Sequence, residues 1–229
     1  MLIGGLQRFS LIDYPGKISA IIFTKGCNFR CPYCHNPELV EFDEKDLIEE
    51  DYILFFLRER RGKLDGVVLT GGEPTLQSDL VDFLKEIKSL GFFIKLDTNG
   101  SNPEIIGRLL EEEILDYIAM DIKADLEKYN DVTLSNVDIE KIKKSIDIIM
   151  NSRIDYEFRT TIVKSQLTKE DILKIGELIR SAELYVLQEF KATKTLDPNF
   201  LKETSYPKEE LEEIASSLRG LVKRVAIRY

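Results

Sequence analysis

The chain's three cysteines, Cys27, Cys31 and Cys34, are spaced C-x3-C-x2-C. They directly follow an apolar run, Ile18 to Thr24, that reads as a buried strand, so the thiols stand on a strand-to-loop junction. Three thiolates this close can wrap one corner of a metal cluster. Structural zinc takes four ligands, and three cysteines leave that shell short. A cubane iron–sulfur cluster takes one cysteine per iron, so three cysteines leave one iron open to an outside ligand. Zinc completed by His35 would set two ligands on adjacent residues, which is poor geometry. Cys31-Pro32-Tyr33-Cys34-His35 is formally a haem-attachment sequence. Haem attachment occurs outside the reducing cytosol, however, and the N-terminus reads as having no export signal. A redox pair of Cys31 and Cys34 would leave Cys27 unexplained.

The elements that must position this loop follow from hydrophobic patterning. Apolar runs at 18–24, 66–70, 92–97, 117–121, 155–163 and 184–190 read as strands. Amphipathic stretches at 45–60, 78–90, 103–113, 138–151, 168–181 and 208–219 read as helices, and a short run at 222–229 as an added edge strand. Repeated β-then-α units imply a parallel sheet with right-handed crossovers. The count fits an α/β partial (β/α)6 barrel, although strand count alone also permits an open doubly wound sheet. Residues 1–229 read as a single domain.

Composition sets bounds. Hydrophobic residues at 43% and charged residues at 32% describe a globular chain. The 32 basic and 41 acidic residues give a net charge of −9, which argues against a nucleic-acid partner. No apolar run approaches the roughly 20 residues needed to span a bilayer, so no membrane association and a cytoplasmic location are expected. One motif uses every cysteine, which leaves none to ligate an auxiliary cluster.

Either architecture puts its ligand site beyond the C-terminal ends of the strands, and polar residues gather there. The second exit is Thr70-Gly71-Gly72-Glu73-Pro74, where glycines allow close backbone approach and Glu73 offers an anion. Its bland reading is a tight turn before a helix capped by Ser78. At the third exit, Asp97-Thr98-Asn99-Gly100, Asn-Gly is first a turn signal, and Thr98 or Asn99 could line a pocket. The fourth carries Asp121-Ile122-Lys123, whose two charges share one face of an extended chain. On the fifth strand Glu157, Arg159 and Thr161 fall on one face, and a buried Arg159 must be paired; Glu157 is the expected partner. The sixth carries Gln188. A long polar connection, 191–207, then follows and is expected to overhang the barrel mouth.

Gly26-Cys-Asn-Phe-Arg-Cys-Pro-Tyr-Cys-His-Asn-Pro37, taken with these downstream motifs, resembles the radical S-adenosylmethionine (SAM) enzymes. Among these it is most similar to the activating enzymes of glycyl-radical proteins, and within them to the anaerobic ribonucleotide reductase activating group. The resemblance implies an oxidoreductase with a [4Fe-4S] cluster on Cys27, Cys31 and Cys34 and SAM on the open iron. It also implies a partial barrel, anaerobic chemistry, a glycyl-radical protein as substrate, and flavodoxin or ferredoxin as electron donor. By the same resemblance Tyr33 lies beside adenine, and the backbone of Tyr33–His35, rather than the His35 ring, passes close to SAM. Gly71, Gly72 and Glu73 hold the methionine amino group. Asp121 meets the ribose and Lys123 the methionine carboxylate, with Ile122 between them in the same site. Arg159 belongs near the carboxylate or ribose, and Gln188 near adenine. The other reading is a small-molecule enzyme of the same superfamily, such as the 7-carboxy-7-deazaguanine synthases.

Overall fold

A computed structural model describes residues 1–229. One eight-stranded sheet runs β1 to β8 in strict chain order. Its strands are β1 (Ile3–Ser10), β2 (Ser19–Thr24), β3 (Gly66–Gly71), β4 (Phe93–Thr98), β5 (Tyr117–Asp121), β6 (Asp155–Ile162), β7 (Tyr185–Glu189) and β8 (Val225–Arg228). All neighbours from β2 to β8 are parallel, and β1 pairs antiparallel with β2. Helices cross between the parallel strands: α1 (Glu50–Arg60), α2 (Leu80–Ser89), α3 (Pro103–Glu111), α4 (Tyr129–Thr133), α5 (Ile139–Met150), α6 (Lys169–Leu178) and α7 (Lys208–Leu218). β1 and β8 do not pair with each other, so the sheet is an open, partial barrel.

Strand alternation divides the apolar residues. Ile22, Val67 and Leu69 face outward into the main core, where α2 contributes Leu80, Phe83, Leu84 and Ile87 at helical spacing. Ile21, Val68, Tyr117 and Ala119 face inward and close the floor of the lumen together with Tyr14. With both faces covered, parallel strands become near-continuous apolar runs, which is why they are legible in the sequence. No helix is long and apolar enough to cross a membrane.

Three local expectations change. β1 was not expected; its Gly4-Gly5 and Gln7-Arg8 do not look like strand sequence, and antiparallel pairing with β2 holds it in place. Helix α1 begins at Glu50 rather than near Lys45. Ser78 caps nothing: α2 begins at Leu80, and the carboxylate of the preceding Asp79 is taken by the Met1 amino group.

Candidate active site

A cavity of about 350 Å³ fills the upper lumen. The cysteine loop leaves β2 as its roof, and all three thiols line it. The loop is fixed by backbone bonds: Gly26 N–H donates to the Leu39 carbonyl at 2.8 Å and Cys27 N–H to that of Val40 at 2.9 Å. Gly26 sits at φ +93°, and a Cβ there would meet the Phe42 ring at 2.2 Å. The Arg30 guanidinium donates to the Cys27 carbonyl at 2.6 Å. Burial pushes the Cys27 thiol up to about 12 and raises that of Cys31. These sulfurs therefore become thiolates only when a nearby cation compensates, as bound metal does.

The Gly71-Gly72 pair lets backbone approach backbone. Gly71 has φ +120°, and a Cβ on it would lie 2.3 Å from the Thr24 nitrogen; one on Gly72 would lie 2.2 Å from the Gly26 oxygen. Gly72 N–H donates to the Thr24 carbonyl and Glu73 N–H to the Gly26 carbonyl, each at 2.8 Å. The exit of β3 is thereby bonded to the cysteine loop. Glu73 is buried, and its carboxylate accepts from four donors. Oε1 takes the Thr75 hydroxyl at 2.6 Å, the Thr98 hydroxyl at 2.7 Å and the Thr75 N–H at 3.1 Å; Oε2 takes the Asn99 N–H at 2.6 Å. Burial outweighs these bonds and raises the Glu73 carboxyl.

The opposite wall is a chain of charges. Arg159 donates from Nε to Asp121 at 2.7 Å and from a terminal nitrogen to Asp97 at 3.1 Å. Lys123 donates to the other oxygen of Asp121 at 3.1 Å, and the buried Lys95 to Asp97 at 2.5 Å. Burial alone would raise Asp121, but Arg159 and Lys123 outweigh it and hold the carboxyl well below the usual carboxylate range. Two cations, Lys123 and Arg159, line this wall beside Asp97 and Asp121, with Lys95 buried behind Asp97. Such a wall can bind an anionic group with its counter-charges already in place.

Residues 21–179 match the family model of the Radical SAM superfamily. The chain belongs to the radical SAM superfamily. It is 36% identical to a "Putative glycyl-radical enzyme activating enzyme" of Methanocaldococcus jannaschii, over 99% of this chain and 95% of that one. It is 32% identical to the pyruvate formate-lyase-activating enzyme of Clostridium pasteurianum, over 78% of this chain and 76% of the relative. The structure of QueE from Escherichia coli shares the fold at TM-score 0.57 and 15% identity, over 99% of this chain and 93% of that one. The protein is a radical SAM enzyme, and its cofactors are a [4Fe-4S] cluster and SAM.

The residues present fit those radical SAM cofactors. No three His, Cys, Asp or Glu side chains gather tightly enough for a single ion, whereas a cubane takes one cysteine per iron and accepts thiols spread around it. The Tyr33 hydroxyl is buried beside the cavity without a hydrogen-bond partner, as a group awaiting a ligand would be.

Of the expected site residues, Tyr33, Cys34, His35, Gly71, Gly72, Glu73, Thr98, Asn99, Asp121, Lys123, Arg159 and Gln188 all line this one cavity. Ile122 does not. It points outward into the core with no exposure, because side chains alternate along the strand exit and Asp121 and Lys123 take the lumen side. Glu157 is not the main partner of Arg159, lying 3.9 Å away. It is held instead by Arg228 of β8 through two bonds, at 2.8 and 2.6 Å, and by the Tyr117 hydroxyl at 3.1 Å.

The His35 ring does more than expected. It stacks on Phe190, with centroids 5.5 Å apart and planes at 6°, and Nε2 donates to the Lys191 carbonyl at 2.9 Å. Asp197 N–H donates to the Pro32 carbonyl at 2.9 Å, and Lys194 pairs with Glu38 at 2.6 Å. The 191–207 connection is therefore fastened to the cysteine loop. Thr161 lines the cavity as its place on the lumen face of β6 implies, and Asp97, Gln7 and Asp13 line it without having been expected to. Asp97 lies two positions before Asn99, so alternation along the β4 exit put it within reach. Gln7 and Asp13 come from β1 and the turn after it, a stretch with no strand pattern of its own.

Proposed function

We propose that this enzyme generates a glycyl radical on a partner protein, and that the partner is an anaerobic ribonucleotide reductase. The observation that carries the first part is the archaeal relative named for glycyl-radical activation, matched along nearly the whole of both chains. The Cys-His-Asn-Pro context and the absence of cysteines for further clusters support the same reading.

In this reading Cys27, Cys31 and Cys34 would hold the cluster, with SAM beside it. Gly72 and Glu73 receive the methionine ammonium, and Lys123 with Arg159 its carboxylate. Asp121 takes the ribose hydroxyls, Tyr33 and Gln188 flank adenine, and Thr98 and Asn99 complete the wall. When bound, the cofactors supply reductive SAM cleavage and hydrogen-atom abstraction. What the chain's own residues do is orient the ligand and exclude water. No general acid, base or nucleophile is needed, and the cavity holds no such triad. Residues 1–229 act here as one radical SAM domain, with flavodoxin or ferredoxin supplying the electron.

The test is anaerobic incubation of the reconstituted enzyme with SAM, a reductant and candidate partners, read by electron paramagnetic resonance for a glycyl radical. Deuterium on the partner glycine's α-carbon should appear in 5′-deoxyadenosine. Label arriving from a small metabolite, and from no glycyl-radical protein, would replace this reading with the small-molecule one.

A further inference from the structure

Ile21, Val68, Lys95 and Tyr117 form one row across the sheet, paired in register strand by strand. Three of them pack together as the floor of the lumen. The fourth is a lysine whose side chain is only 2% exposed. Burying an ammonium group among apolar neighbours is costly, and pairing it with a carboxylate often fails to repay the desolvation. An apolar residue of similar volume would serve the floor at least as well. Lys95 does not reach the cavity, whose lining takes Asp97, Asp121, Lys123 and Arg159 on this side. It stands instead at the closed end of a chain of alternating charges, in which each carboxylate divides its oxygens between two cations. Oδ1 of Asp97 accepts from Lys95 and Oδ2 from Arg159; Oδ1 of Asp121 accepts from Arg159 and Oδ2 from Lys123. Glu157 is taken by Arg228. The cations and carboxylates that line the wall therefore cancel, and the positive charge in excess comes from Lys95 behind them.

We infer that Lys95 is a positioning residue for SAM: from beneath the site it neutralises Asp97 and so gives the wall the net positive charge that the methionine carboxylate meets at Lys123 and Arg159. The inference rests on the reading above in which those two residues receive that carboxylate. With Asp97 satisfied from below, Arg159 is left to hold Asp121, and Lys123 stands at the open end of the chain in the cavity. Without Lys95, Asp97 would draw on Arg159 alone, and the wall would carry no excess charge for an anionic ligand. Screening is weak among buried charges, so a cation that never touches the ligand still acts on it through the chain.

The test measures ligand affinity in three cluster-loaded forms: the wild type, Lys95→Met, and Lys95→Met combined with Asp97→Asn. Methionine is unbranched and fills an apolar floor readily. The second substitution removes the carboxylate that the first one orphans, which protects the fold and returns the wall to an excess of one cation. Iron and sulfide content should be equal in all three. SAM affinity should fall roughly tenfold in Lys95→Met, near the lower end of what one charge-assisted contact contributes, and the double variant should recover most of that loss. 5′-Methylthioadenosine, which keeps the adenosine and lacks the carboxylate, should bind all three forms alike. Unchanged SAM affinity in Lys95→Met overturns the inference. So does an equal loss for both ligands, which is what a merely structural role would give, and so does a double variant no better than the single one. Lys123→Ala and Arg159→Ala are measured alongside. If they weaken SAM binding while Lys95→Met does not, this inference fails and the carboxylate reading stands; if none of the three weakens it, both fail.

Discussion

The backbone N–H of Asn99 donates to Oε2 of Glu73 across 2.6 Å, and through that bond the exit of β4 is fixed to the exit of β3. Oε1 of Glu73 gathers the Thr98 hydroxyl as well. The carboxylate therefore organises the cavity wall before any ligand arrives.

Replacing Glu73 by Ala should orphan buried donors on two strand exits. Each such donor costs about 1–3 kcal/mol. Thermal unfolding of the metal-free protein should show the loss, and the cluster-loaded variant should bind SAM more weakly. Equal melting temperatures for the wild type and the variant would mean the network is not holding the two exits together.

The paired-charge wall makes a separate prediction. Lys123→Ala and Arg159→Ala should each retain iron and sulfide near the cubane stoichiometry yet bind SAM less tightly. Loss of a charge-assisted contact is worth about 1.5–3 kcal/mol, or roughly 10- to 150-fold in affinity. SAM affinity unaltered in both variants would remove these residues from the binding site.

Asp121 links this wall to acid stability. Although burial opposes it, Arg159 and Lys123 hold the carboxyl below its ordinary value. A carboxyl lowered on folding stabilises the protein above its unfolded value of about 3.9 and loses that contribution as pH falls through the folded value. Asp121→Asn should therefore be less stable at neutral pH, where two cations lose their shared partner. Below about pH 4 its stability should fall less steeply than that of the wild type. Urea midpoints across that range decide the matter, and parallel acid limbs would exclude the linkage.

Much of this was legible in the sequence, for physical reasons. Strands buried on both faces must be continuous apolar runs, so β2 to β7 were visible from patterning alone. Alternation placed Arg159 and Thr161 on the lumen face of β6 and marked Asp121 and Lys123 as sharing a side. The same rule should have removed Ile122 from the site, since it lies between them. Pairing was less legible. Arg159 needed a buried anion, and Glu157 was nearest in sequence, but Asp97 and Asp121 reach it across neighbouring strands. No local signal shows which of three carboxylates wins. β1 was hidden for a different reason, since its order comes from an antiparallel neighbour rather than from its own glycine-containing sequence. The role of the His35 ring depended on Phe190 and Lys191, more than 150 positions away, as its bond to Lys191 shows.

Arg228 carries the last prediction. Glu157 is fully buried in the lumen, and the two bonds from Arg228 supply its counter-charge. Arg228→Ala would leave that carboxylate with the Tyr117 hydroxyl and a guanidinium 3.9 Å away. Removing one partner of a fully buried ion pair costs about 3–5 kcal/mol; Arg228 is itself 42% exposed, so its loss should cost less than that, because water replaces part of the counter-charge. Replacing both partners with apolar residues is often neutral. The pair Arg228→Met with Glu157→Leu should therefore recover most of the stability that Arg228→Ala loses. Arg228 stands on the last strand, so the loss should be shared by the whole sheet edge and appear as earlier unfolding in urea. A midpoint for Arg228→Ala within error of the wild type, or a double variant no better than the single one, would show that Glu157 does not depend on β8 for its charge.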